Sequence, residues 1–243
     1  MELILILNAV VILACAAETF SGFAGAMTAI TLGAHFYPIE RLVPVWVVLN
    51  FLMNAYIVLR HAGHADWGLL FKQVLPFMCA GLLVGLWLYP HLAGLPLKKM
   101  LGGLIVIFAG SQLVLLLRPG LNPRRPFSRA TAGLWQFLAG VCQAIYATGG
   151  PFLVYSLSRQ PLAKATFRAT LCTVWGSLNG VLIAAFIYNG RLDLPALKFT
   201  AWLVPALPLG IMAGEWMHGR ISEEQFRKAI LIMLVIVGAT LIF

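Results

Sequence analysis

Two runs of the sequence set glycines beside hydroxyl residues inside long apolar stretches. They are Glu18-Thr19-Phe20-Ser21-Gly22-Phe23-Ala24-Gly25 and Ile145-Tyr146-Ala147-Thr148-Gly149-Gly150-Pro151. A glycine weakens a helix by about 1 kcal/mol relative to alanine. Proline suits the first turn of a new helix, where no N–H is needed. Each run therefore reads as the end of one half-helix and the start of another. A helix that begins in an apolar medium presents unpaired N–H groups and the positive end of its dipole. Ser21 and Thr148 add hydroxyls, and Gly22, Gly25, Gly149 and Gly150 let a ligand come close to the backbone. The chemistry this offers is binding of an anion without a formal positive charge. The alternative is packing of small residues between helices. Two runs, each opening a segment too short to span a bilayer, favour the binding site.

Other residues are placed to complete such a site. Asn50 and Asn54 share one helix face at i, i+4, and Thr170, Thr173 and Ser177 recur at helical spacing, with Asn179 just beyond. Their alternative is hydrogen bonding between helices, worth under about 1 kcal/mol each in hydrocarbon. Arg41 and Arg168 stand where their helices begin. Arg41, beside Glu40, reads as an interfacial snorkelling residue, and Arg168, between Thr166 and Thr170, as an anion ligand. Glu18 is the one acid deep in an apolar run, which makes it a candidate to carry a proton coupled to substrate movement, or a cap for the following backbone. Glu215 reads as interfacial. The run His61-Ala62-Gly63-His64-Ala65-Asp66 has permissive metal spacing, but Gly63 breaks the helix that would aim both imidazoles, so it reads as a loop. No H-E-x-x-H, P-loop or G-x-S-x-G pattern occurs. We expect no catalytic residue, no metal and no cofactor.

The elements that must hold these residues are set by composition. Of 243 residues 61% are apolar and 10% charged, with a mean hydropathy of +0.91. Soluble domains run near 45–50% and about 25%, so most of this surface has lipid as its solvent. Ten apolar segments stand out, near 3–17, 23–36, 42–59, 74–89, 100–117, 131–146, 150–157, 169–188, 199–217 and 229–243. Segments 23–36 and 150–157 fall short of the roughly 20 residues a crossing needs. Strand-like alternation is absent, which argues against a β-barrel. The net charge of +9 does not point to nucleic acid, because the bases sit in connecting loops, where they set orientation. With ten crossings, twelve Lys and Arg fall on the side of the 118–130 loop and five on the other, which puts that loop in the cytoplasm. If the two short segments dip in and return, the tallies become nine and eight. Residues 3–17 lack a basic leader and read as a membrane helix, not a cleaved signal. Cys15, Cys79, Cys142 and Cys172 are too scattered for a disulfide framework or a zinc site.

The chain also repeats itself. Shifted by 127 positions, Cys15 falls on Cys142, Gly22 on Gly149, Arg41 on Arg168, Gly63 on Gly190 and Asp66 on Asp193. Short insertions then bring Gly81 onto Gly210, Gly85 onto Gly214 and Gly110 onto Gly238. A repeat with an odd number of crossings must insert upside down relative to its twin. The expectation is an all-α polytopic membrane protein of two inverted repeats, about five segments each, with broken helices at the midplane, as in secondary transporters. The repeats would cover 1–117 and 131–243, joined by a basic linker at 118–130.

The order of helix, Gly-rich break, short helix, Asn-bearing helix and Gly-x-x-Asp-type loop is given twice. It is carried by Ser21-Gly22-Phe23-Ala24-Gly25, Thr148-Gly149-Gly150-Pro151, Gly63-His64-Ala65-Asp66-Trp67 and Gly190-Arg191-Leu192-Asp193-Leu194. In this the whole chain resembles the sulfite exporter TauE/SafE family of permeases. The resemblance implies transport of sulfite, sulfonates or related organosulfur and carboxylate anions. It also implies coupling to an ion such as a proton or sodium, no cofactor, and a prokaryotic inner-membrane location. Together these readings give a carrier working by alternating access, with substrate held at Ser21, Gly22, Gly25, Thr148, Gly149 and Gly150 and contacted by Asn50, Asn54, Arg168 and Thr173. The rivals are a channel-like anion pore of the same architecture and a membrane-embedded enzyme or assembly factor. A missing acid/base or nucleophile constellation argues against the enzyme.

Overall fold

A computed structural model describes residues 2–61, 64–92, 94–118, 126–218, 220 and 222–242. Residues 119–125 of the expected linker, with Arg124 and Arg125, lie outside the described residues, as do Ala62 and Gly63 of the first loop. In chain order the helices are α1 (Glu2–Ser21), α2 (Ala24–Gly33), α3 (Ile39–His61) and α4 (Trp67–Leu69). A π-helical turn, Leu70–Val74, leads into α5 (Leu75–Leu88), followed by α6 (Leu97–Leu117) and α7 (Arg129–Tyr146). Then come α8 (Gly150–Leu157), α9 (Lys164–Tyr188), α10 (Leu194–Leu203), α11 (Ala206–His218) and α12 (Glu223–Ile242).

Among the described residues five helical stretches are long and apolar enough to cross a bilayer: Glu2–Ser21, Ile39–Arg60, Trp67–Leu92, Leu97–Leu117 and Ala165–Tyr188. The pair α10 and α11 makes a sixth if its 42° bend is counted within one span. The bend has a cause in sequence. Pro205 supplies no N–H to continue α10, whose last bond runs from the Val204 N–H to the Thr200 carbonyl. Leu59, Leu83 and Ile107 are more than 60% exposed, as befits side chains whose solvent is hydrocarbon. The protein is a multi-pass helical membrane protein. The short apolar segments 23–36 and 150–157 form separate helices of ten and eight residues.

The chain divides into two compact units, each drawing on both halves of the sequence. The first comprises residues 1–46, 95–123 and 194–243. Here α1 packs along α11 because Gly210 and Gly214 leave no room for a side chain: a Cβ would meet Cys15 and Ile12, or Thr19 and Ala16. Likewise α6 meets α12 where Gly102 lies against the Gly238 carbonyl. His35, just past α2, donates its Nδ1 proton to the Thr31 carbonyl, and its Nε2 meets the Thr240 hydroxyl of α12 at 2.9 Å.

The second unit comprises residues 47–94 and 124–193. Gly81 and Gly85 of α5 lie against Phe137, Val141 and Ala144 of α7, and Gly140 returns the contact against Met78. The glycine pairs that fall together when the sequence is slid along itself make like contacts, Gly81 and Gly85 on α7, Gly210 and Gly214 on α1. The third pair does not follow suit. Gly238 abuts α6, whereas Gly110 faces open space. Pro76 has no N–H for the carbonyl four residues earlier, that of Lys72. The helix widens into its π turn there, and Arg129 at the start of α7 donates to the Lys72 carbonyl at 3.0 Å.

Candidate functional site

The break between α7 and α8 lies wholly within the second unit. The last turn of α7 closes with the Ala147 N–H on the Gln143 carbonyl at 2.9 Å. Ala147 itself is left-handed (φ 53°, ψ 26°), a conformation that costs a residue with a Cβ about 1–2 kcal/mol. Such strain gathers at functional positions. Gly149 then sits against the Ala139 carbonyl of α7, where a Cβ would collide. Pro151 opens α8, and its first internal bond runs from the Leu153 N–H to the Gly149 carbonyl at 3.2 Å.

Helix geometry leaves the Gly150 and Phe152 N–H groups without an intrahelical acceptor, and Pro151 has none to offer. Thr148, two residues before this helix start, and Tyr146, the last residue of α7, both carry buried hydroxyls. Thr148 is 1% exposed and Tyr146 5%, and among the described residues neither oxygen has a hydrogen-bond partner. A buried hydroxyl without a partner is costly, and native structures rarely keep one without a reason. The donors at the break, the Thr148 hydroxyl and two amides at the positive end of a helix dipole, suit an anion.

Behind the break runs a chain of buried amides. The Gly149 N–H donates to Gln143 Oε1 at 2.9 Å, and Gln143 Nε2 donates to Asn179 Oδ1 of α9 at 2.8 Å. Asn179 Nδ2 donates to Asn50 Oδ1 of α3 at 2.7 Å, and Asn54 Nδ2 donates to the same oxygen at 2.9 Å. Asn50 and Asn54 therefore join the break through Gln143 and Asn179. Thr173 directs its hydroxyl proton to the Ala169 carbonyl, and Thr170 accepts from the Asp66 N–H. Arg168 is half-buried near the start of α9, about 16 Å along that helix from Asn179 at 1.5 Å per residue.

The first break, within the first unit, is built differently. Gly22 takes a left-handed φ of 82° and its N–H bonds the Glu18 carbonyl at 2.6 Å. The Ser21 hydroxyl donates to the Ala17 carbonyl at 2.7 Å and accepts from the N–H groups of Phe23 and Ala24. Ser21 thus satisfies the start of α2. Gly25 lies directly on Glu18, whose carboxylate, 1% exposed, reaches the first turn of that helix. A carboxylate there is stabilised by the helix dipole. Glu215 is exposed, in keeping with an interfacial place.

Gln143, which holds the second break through Gly149, is a residue that sequence reasoning missed; a glutamine in an apolar run was the available signal.

A family model described as "Sulfite exporter TauE/SafE" matches residues 7–241. The chain is 32% identical over 186 residues to the "Probable inner membrane transporter protein TsaS" of Comamonas testosteroni, covering 72% of this chain and 75% of the relative. It is 23% identical over 233 residues to the "Probable sulfite/organosulfonate exporter TauE" of Cupriavidus necator, covering 92% and 88%. No solved structure matches it. These are transporters, not enzymes, and the chain belongs to the sulfite exporter TauE/SafE family.

Proposed function

We propose that the protein is a secondary transporter of a small sulfur oxyanion or organosulfonate in the inner membrane, working by alternating access. The relatives' names supply the substrate class and the membrane. The observation that carries the reading is the buried, unpartnered Thr148 hydroxyl beside the start of α8. The anion takes donors from Thr148, Gly150 and Phe152. Tyr146 supplies a further hydroxyl. Arg168, well removed along α9, attracts the anion from a distance, and Thr173 lines the approach. The two sequence halves, 1–117 and 131–243, act as inverted repeats joined by the basic linker, each contributing one broken helix. Glu18, with Ser21, Gly22 and Gly25, forms the counterpart at the first break and carries the coupled proton.

The test is melting of the purified protein in detergent with sulfite, sulfoacetate or chloride. A ligand that binds the folded state raises apparent stability by mass action. Sulfite or sulfoacetate raises the melting temperature of the native protein and leaves that of Thr148→Val unchanged. Equal shifts in both proteins, or none in either, would sink the reading.

A further inference from the structure

The chain of buried amides has a direction that its ends fix. A backbone N–H can only donate, so the Gly149 N–H makes Gln143 Oε1 an acceptor, and the Gln143 amide must then present Nε2 to Asn179. Asn179 receives on Oδ1 and donates from Nδ2 to Asn50, whose Oδ1 is held from the other side by Asn54. The four side chains are at most 3% exposed, and no link exceeds 2.9 Å. One arrangement of amide orientations satisfies every link. Chains of this kind polarise one another and specify a single geometry.

Two consequences meet at the α8 start. The Gly149 N–H is withdrawn from any ligand, because Gln143 already occupies it. The break is also tied by side chains to α9 and α3. The left-handed Ala147 and the unpartnered Thr148 hydroxyl both lie between Gln143 and Gly149 in sequence, inside the loop that this hydrogen bond closes. We propose that Gln143 and Asn179 are positioning residues for the anion site: they hold Thr148 and the first amides of α8 in binding geometry while touching no substrate. The proposal rests on the reading of that site given above. It also moves Asn50 and Asn54 from direct contact to support.

The test compares Gln143→Met and Asn179→Leu, near-isosteric changes suited to a membrane interior, with the native protein and Thr148→Val. Sulfite affinity is read by titration, and amide hydrogen exchange is read over residues 147–153 without ligand. Loss of one link displaces the donors, so both variants should weaken sulfite binding at least about tenfold, near the effect of one hydrogen bond. Exchange over 147–153 should also quicken. Gln143→Glu keeps the acceptor for Gly149 but cannot donate to Asn179, and its charge opposes an anion, so it should bind sulfite more weakly than Gln143→Met. A network with a purely structural role would lower melting temperature in all three variants without changing affinity. Unchanged affinity in the two apolar variants, with Thr148-dependent binding intact in the native protein, would overturn the positioning role alone. No Thr148-dependent binding in the native protein would overturn the site reading, and this role with it.

Discussion

Gly25 and Glu18 sit so close that one more carbon could not fit between them: a Cβ on Gly25 would overlap a carboxylate oxygen of Glu18 and press on the Ala14 carbonyl. The contact brings the start of α2 down onto the last turns of α1. Overpacking of this kind costs about 1–3 kcal/mol. Gly25→Ala should therefore lower the melting temperature of the detergent-solubilised protein. Glu18→Gln should not rescue it, since the Glu18 Cβ and the Ala14 carbonyl stay in the way. Full rescue would show that the carboxylate alone sets the spacing.

Glu18→Gln also tests the coupling role. Sulfite flux into vesicles containing the native protein should respond to an imposed pH difference. The variant should exchange sulfite at equilibrium but ignore the gradient, because its amide takes up no proton near neutral pH. A variant that follows the gradient as the native protein does would remove Glu18 from the coupling path.

Thr148→Val should separate binding from stability. Replacing a buried hydroxyl that has no partner with a methyl of the same shape removes a desolvation cost, so the ligand-free protein should be as stable or slightly more stable. Sulfite affinity should fall about tenfold or more. A marked loss of ligand-free stability would mean that the hydroxyl serves the fold.

Two glycines of the membrane helices should respond in opposite directions to alanine. Gly81 lies against the Phe137 carbonyl, and Gly81→Ala should force α5 and α7 apart and lower the melting temperature. Gly110 meets nothing within 4 Å, so Gly110→Ala should gain up to about 1 kcal/mol of helix propensity. Equal effects at both positions would mean that the α5–α7 contact is looser than described.

At the π turn, Arg129→Met removes the side-chain donor to the Lys72 carbonyl, whose i+4 residue, Pro76, has no N–H to offer. Because Arg129 is exposed, the loss should be modest, about 1 kcal/mol or less. Adding Pro76→Ala, which restores the missing N–H, should recover it in a melting experiment.

Much of this was legible in the sequence. Glycine, proline and hydroxyl residues within apolar runs marked both helix breaks, and 23–36 and 150–157 were recognisably too short to span. The glycines at 81, 85, 210 and 214, matched in the sequence only by their spacing, turn out to lie at close helix contacts. What stayed hidden depended on neighbours. Ser21 and Thr148 stand 127 residues apart, matched in the self-alignment, yet Ser21 finds two backbone N–H groups to cap while Thr148 finds none among the described residues. Asn50 could not be linked to α7 without knowing that Gln143 and Asn179 stand between them. The bend at Pro205 was read as one continuous segment because hydropathy is blind to a missing N–H. Composition reports which side chains prefer lipid, whereas pairing between distant helices is settled by shape.

The unlike furnishing of the two breaks bears on stoichiometry. The Glu18 carboxyl reaches the first turn of α2, whereas Ile145 stands at the position 127 residues on, before α8. With a carboxyl of the chain at one start and the Thr148 donors proposed for the anion at the other, binding should saturate at one equivalent of sulfite per polypeptide.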